Sequence, residues 1–230
     1  MPRRPPLAVL AAAAVAVLSC GPPDVPNLDS PGTTIVCLGD SITAGVGAGR
    51  GEAFPARLEE ALGVPVVAAG VPGDTTAAGL ARLERALAAD PWLVVVELGG
   101  NDLLRRVPEE TTEANLRAIV EGVLAAGAVP MLIEVEGPFG SRYDDLFERV
   151  GGDYGVPVVE DVLGRVLRDR RLKSDAIHPN GAGHAEIAAV LVREIEPLLE
   201  ARRRLGLHAL PAAAAGAAAL PRAAAAGGNV

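Results

Sequence analysis

The sequence predicts an α/β protein: one parallel sheet held between two layers of helices. Five short apolar runs occur in order, and the segments between them carry apolar residues at helical spacing. About 170 residues between two atypical ends are enough for one hydrophobic core. Strands that alternate with helices are joined by right-handed crossovers, which makes the strands parallel and covers both faces of the sheet.

The apolar runs are residues 33–38, 65–69, 92–98, 129–135 and 156–160. They are nearly continuous rather than alternating, as strands buried on both faces require. Helical spacing covers residues 54–62, 76–89, 111–126 and 141–154, and a further helix over residues 183–204 closes the domain. Five such strands make a flavodoxin-like three-layer α/β/α sandwich. In open sheets of this kind ligands sit beyond the carboxyl ends of the strands. Gly39-Asp40-Ser41 follows the first strand, Gly73 the second and Gly99 to Asp102 the third, so all three converge on one rim.

Composition narrows the function. Half the residues are hydrophobic but only 3% are aromatic, so the core is aliphatic. The net charge of -8 opposes non-specific attraction to nucleic acid, and no nucleic-acid partner is expected. Arg202-Arg203-Arg204, at the end of the last helix, is placed to answer the helix dipole.

The two ends stand apart from the domain. Residues 1–19 have the form of a signal peptide: Arg3-Arg4, a 12-residue apolar run from Leu7 to Leu18, then Ser19 before Cys20. Val17-Leu18-Ser19-Cys20 resembles a bacterial lipobox, in which Cys20 would carry lipid and hold the protein at the cell envelope; an ordinary cleaved signal is the alternative. Residues 20–32, with four Pro between Gly21 and Gly32, are expected to form an extended tether. The folded domain is assigned to residues 33–204, and residues 205–230, rich in Ala, Pro and Gly, to a disordered tail. Cys37, in the first strand, reads as a small buried hydrophobe.

Four motifs carry the chemistry: Gly39-Asp40-Ser41, Gly73-Asp74-Thr75, Gly99-Gly100-Asn101-Asp102 and Asp175-Ala176-Ile177-His178. Ser41 is a candidate nucleophile, lifted above the sheet edge at a helix start, where a serine could equally be an N-cap. A serine hydroxyl needs a base, and of three histidines His178 is the best candidate, because Asp175 three residues upstream can hold its Nδ1–H. His184, on the last helix, is expected to face solvent, and His208 falls in the tail. Asp40, Asp74 and Asp102 are expected to brace the loops.

The set resembles the SGNH (GDSL) hydrolase family, with its four defining letters on Ser41, Gly73, Asn101 and His178. The resemblance runs from about residue 33 to about residue 199. Gly-Asp-Ser-Ile-Thr-Ala-Gly, Gly-Leu-Ala-Arg-Leu and Val-Glu-Leu-Gly-Gly-Asn-Asp look most like its bacterial acyl thioesterase, lysophospholipase and arylesterase branch. Ala68 stands where many members carry an Asn. The resemblance implies the SGNH fold, a Ser41–His178–Asp175 triad, and an oxyanion hole of the Ser41 and Gly73 N–H groups with the Asn101 amide. Read as residues alone, Gly73 could serve only a tight turn and Asn101 only a loop cap. The resemblance also makes Leu103 and Leu104 candidates for acyl binding. Phe139 and Tyr143, after the fourth strand, border the same rim; for all four, ordinary loop packing is the alternative.

Other chemistries fail at the residue level. The Gly45, Gly47, Gly49, Gly51 run does not complete a dinucleotide fingerprint, the only Lys is Lys173 so no P-loop exists, and no zinc spacing occurs. No metal or other cofactor is implied. The expected activity is hydrolysis of small acyl esters, aryl esters, lysophospholipids or acyl thioesters, by a protein attached to a membrane through its lipid. A carbohydrate O-acetylesterase of the same superfamily, or a catalytically silent envelope lipoprotein, are the alternatives.

Overall fold

The protein is described by a computed structural model covering residues 24–135 and 143–207. Five parallel strands form one sheet: β1 (Thr34–Gly39), β2 (Val66–Gly70), β3 (Pro91–Glu97), β4 (Val129–Ile133) and β5 (Val158–Val159). Their order is β2-β1-β3-β4-β5, so the chain reverses direction beside β1 and opens a crevice there. β3 is buried along its whole length and β1 along all but its first residue, which explains their unbroken apolar runs.

The helices are α1 (Phe54–Leu62), α2 (Thr76–Ala81), α3 (Leu83–Leu87), α4 (Gly100–Leu104), α5 (Glu109–Ala125), α6 (Asp144–Tyr154), α7 (Val162–Arg168) and α8 (Gly181–Arg204). The run expected as one helix over residues 76–89 is two, broken at Arg82. Asn180, not a later residue, caps α8: its side chain accepts the Ala182 and Gly183 N–H groups.

The expected extended tether is corrected in its second half. Asn27 and Ser30 close a turn, Leu28 is buried, and the Asn27 side-chain amide donates to the carbonyls of Leu124 and Ala128. Arg202 explains the docking. It is buried, not a solvated answer to the helix dipole, and it donates to the carbonyls of Leu28, Ser30 and Gly32 while lying 4.6 Å from the Trp92 ring centroid. His184 is likewise buried rather than exposed. Its Nδ1 accepts the Phe54 N–H at 3.3 Å, which joins α8 to the start of α1. Cys37 is fully buried, as its place in β1 dictates. Cys20, the signal segment and the tail after residue 207 lie outside the described residues.

Candidate active site

Ser41 leaves β1 not in a helix but in a run of turns over residues 41–47. Ala44, Gly45 and Val46 donate to the carbonyls of Asp40, Ile42 and Ser41, three different spans that no single helix contains. The cause is glycine: Gly45 and Gly47 have φ of 83° and 91°, left-handed values that end helical propagation. A Cβ on Gly47 would lie 2.3 Å from the Pro179 carbonyl oxygen, so the same glycine lets the Ser41 loop approach the His178 loop.

The His178 loop is closed at its neck. Lys173 and Pro179 form an antiparallel bridge, the Ser174 N–H donates to the His178 carbonyl at 2.9 Å, and the Asn180 side chain donates to the Arg171 and Lys173 carbonyls. Within the loop, one Asp175 oxygen accepts the N–H groups of Ile177 and His178 at 2.9 Å. The other lies 2.7 Å from His178 Nδ1. These bonds hold the Asp175 carboxyl down at about 2, with the His178 ring as the leading cause. An ionised carboxylate only accepts, so the ring proton belongs on Nδ1 and Nε2 is left to accept. His178 Nε2 stands 3.1 Å from Ser41 Oγ. The structure therefore aligns Ser41, His178 and Asp175 in the order the sequence suggested.

Gly73 sits in a turn after β2 with φ of 86°, and among the described residues neither its N–H nor that of Ser41 has a hydrogen-bond acceptor. Arg105 donates to the Gly73 carbonyl at 2.8 Å. Asn101 lies in α4, and its side-chain nitrogen donates to Asp40 Oδ2 at 2.7 Å and to the Asp74 carbonyl at 2.9 Å. The amide is thus fixed between the Ser41 loop and the Gly73 loop. Asp102 is buried and accepts from the Thr76 N–H and hydroxyl at 2.8 and 2.6 Å, a bracing role as expected.

Two bracing residues were not anticipated. Arg82, inside the Gly-Leu-Ala-Arg-Leu run, donates to the carbonyls of Gly39 and Ala69 and to the Asp74 carboxylate, joining the ends of β1 and β2 to the Gly73 loop. Glu97, the last residue of β3, is buried and accepts from the Asp40 N–H at 3.4 Å, the Thr43 N–H at 3.2 Å and the Thr43 hydroxyl at 2.8 Å. Burial raises both the Glu97 and Asp40 carboxyls, Glu97 well above the usual range because the Asp40 charge also faces it. In the sequence Glu97 is an acid ending an apolar strand, a signal available but unused.

Beside Ser41 opens a cavity of about 210 Å³. Its apolar wall comes from Leu103, Leu104, Val135, Leu163, Leu167 and Ile177, with Arg168 and Lys173 also on the lining. Leu103 and Leu104 thus line the cavity beside Ser41. Tyr143 is corrected: it is buried away from this cavity, its hydroxyl 3.3 Å from that of Thr112 and donating to the Val107 carbonyl at 3.2 Å. Phe139 lies outside the described residues. The contribution of α7 was missed, although Leu163 and Leu167 are spaced one helical turn apart.

Sheet order and rim together define a three-layer α/β hydrolase of the SGNH type. The chain belongs to the GDSL-like lipase/acylhydrolase family, whose model matches residues 37–186. It is 36% identical over 176 residues to the thioesterase 1/protease 1/lysophospholipase L1 of Escherichia coli K12, covering 72% of this chain and 85% of that one. It is 30% identical over 174 residues to the arylesterase of Vibrio mimicus, covering 70% of this chain and 87% of the relative. The crystal structure of TesA superposes with a TM-score of 0.68 at 33% identity, over 72% of this chain and 99% of that chain. The chain is accordingly a carboxylic ester hydrolase.

Proposed function

We propose that this protein hydrolyses acyl esters or thioesters of amphiphilic substrates through a Ser41–His178–Asp175 triad, anchored at the cell envelope by lipid on Cys20. The observation that carries the reading is the alignment of Ser41 Oγ, His178 Nε2, His178 Nδ1 and Asp175, at 3.1 and 2.7 Å, beside an apolar cavity. Ser41 Oγ attacks the acyl carbon as its proton passes to His178 Nε2. The imidazolium is stabilised by Asp175 and returns that proton to the departing alcohol or thiol. Water, deprotonated by the same nitrogen, then releases the acid from the acyl-serine. The negative charge on the carbonyl oxygen is met by the Ser41 and Gly73 N–H groups and by the Asn101 amide.

The leucine wall of the cavity favours an acyl chain longer than acetyl. A panel of p-nitrophenyl esters from acetyl to palmitoyl, with lysophospholipid and acetylated xylan beside it, tests the substrate class. Highest kcat/KM on medium or long acyl groups is expected; a preference for acetylated xylan would favour a carbohydrate O-acetylesterase. A fluorophosphonate should label Ser41, and intact activity after stoichiometric labelling elsewhere would refute the nucleophile.

A further inference from the structure

Five large apolar side chains stand exposed among the described residues: Val46, Val71, Leu104, Ile177 and Leu205. Isolated exposed apolar residues are ordinary, but four of these share one end of the molecule. Val46 follows Ser41, Val71 precedes Gly73, Leu104 ends the helix of Asn101, and Ile177 adjoins His178. The backbone ties them to the site. The Val46 N–H donates to the Ser41 carbonyl and the Val71 N–H to the Gly39 carbonyl, while Leu104 and Ile177 line the cavity itself.

The same loops carry cations without acidic partners. Arg50, Arg106 and Lys173 meet no carboxylate among the described residues, and Arg105 donates only to the Gly73 carbonyl. Away from these loops Arg57, Arg82, Arg117, Arg149, Arg171 and Arg204 are ion-paired, while Arg170, Arg193 and Arg203 also meet no carboxylate among the described residues. The acids in these loops are engaged: Asp175 holds His178, and Glu52 accepts the Gly49 N–H and faces Arg57. In a chain of net charge -8, four cations that meet no carboxylate, Arg50, Arg105, Arg106 and Lys173, thus lie in the loops that carry the apolar tips.

Apolar tips flanked by cations suit the boundary between acyl chains and phosphate headgroups. We propose that this rim docks on the surface of a lipid aggregate with anionic headgroups, so that a substrate's acyl chain passes into the cavity without crossing water. The proposal rests on the reading of the cavity as an acyl site. The side chains of Val46, Val71 and Arg106 lie outside that cavity and bond to none of the catalytic groups, so they can be changed while the backbone bonds of Val46 and Val71 are kept.

The test uses the chain without residues 1–20, so that neither the apolar run of Leu7 to Leu18 nor an acyl group at residue 20 contributes. Partition onto sucrose-loaded vesicles of phosphatidylcholine with phosphatidylglycerol is compared with partition onto phosphatidylcholine alone. Binding to the anionic vesicles is expected to exceed binding to the neutral ones. Val46→Ser/Val71→Ser and Arg106→Gln should each weaken it by roughly fivefold or more, with hydrolysis of monomeric p-nitrophenyl butyrate unchanged. Equal binding to both vesicles, or variants that bind as the parent does, would overturn the docking surface. Absence of any hydrolysis of p-nitrophenyl butyrate would instead break the reading of the cavity, and the vesicle result would separate the two failures.

Discussion

The carboxylate of Asp40 holds the side-chain amide of Asn101 at 2.7 Å, and the amide's second proton goes to the Asp74 carbonyl. The residue beside the nucleophile therefore aims the proposed oxyanion donor, and an oxyanion must draw one of these protons to itself. Asn101→Ala should lower kcat by about 10²–10³ with little change in KM. Steady-state kinetics on one p-nitrophenyl ester decides it, and a rise in KM at constant kcat would make Asn101 a binding residue.

Ser41→Ala should abolish turnover while leaving the circular dichroism spectrum and melting temperature intact. Asp175→Asn should lower kcat by up to about 10⁴-fold, since the amide would support the wrong ring tautomer. Wild-type rates in Ser41→Ala at matched purity would sink the mechanism.

Glu97 predicts a decline of stability with rising pH. Its carboxyl is raised well above the model-compound value of 4.5, so above that pH the folded chain keeps a proton that the unfolded chain has lost. Its contribution is complete below pH 4.5 and is lost as pH climbs toward the folded value. The charged groups that face it are Asp40 and, through Asp40, His178, while the Thr43 hydroxyl and the N–H groups of Asp40 and Thr43 donate to it. Glu97→Gln imitates the protonated acid and should flatten this decline. Asp175, lowered to about 2, acts only at the acid end: its contribution is present above 3.8 and disappears as pH falls through 2. Melting temperatures of both chains across pH 5 to 9 give the comparison, and parallel curves would show Glu97 ionised in the fold.

Arg202→Leu removes the donors to the carbonyls of Leu28, Ser30 and Gly32 and should cost about 2–4 kcal/mol. Urea unfolding reads the loss. Turnover of short esters by the folded variant should persist, because the active rim is at the other end of the strands.

Lipid on Cys20 predicts detergent-phase partition of the full-length protein and a soluble Cys20→Ser variant of equal specific activity. Intact-mass analysis of the mature N-terminus checks it: a free amine starting elsewhere, with no lipid mass, refutes the anchor.

The five parallel strands and the four motifs were legible because a buried parallel sheet needs long apolar runs and because the chemistry sits directly after them. Local geometry was less so. The turns at residues 41–47 and the break at Arg82 depend on left-handed glycines and on a guanidinium that reaches three partners far along the chain. Helix α7 has only seven residues and follows Asp161 in a left-handed conformation, too short a segment for periodicity to separate from the strand before it. His184, Arg202 and Tyr143 share one cause of misplacement: each is polar at its tip, yet a specific partner buries it, and such partners are visible only in three dimensions.

The docked segment of residues 27–32 gives the molecule two poles. Asn27 is fastened to the carbonyl of Ala128, just before β4 begins, and Arg202 fastens Gly32 over Trp92 at the start of β3. At the opposite, carboxyl end of the same parallel sheet Ser41 follows β1 and Asn101 follows β3. Residues 21–26 can span only about 20 Å, so an anchor at Cys20 would root the protein by its foot and leave its mouth looking outward. So anchored, the enzyme would meet amphiphiles arriving from the aqueous side, in micelles or a facing bilayer, and would be kept from digesting the membrane in which it stands.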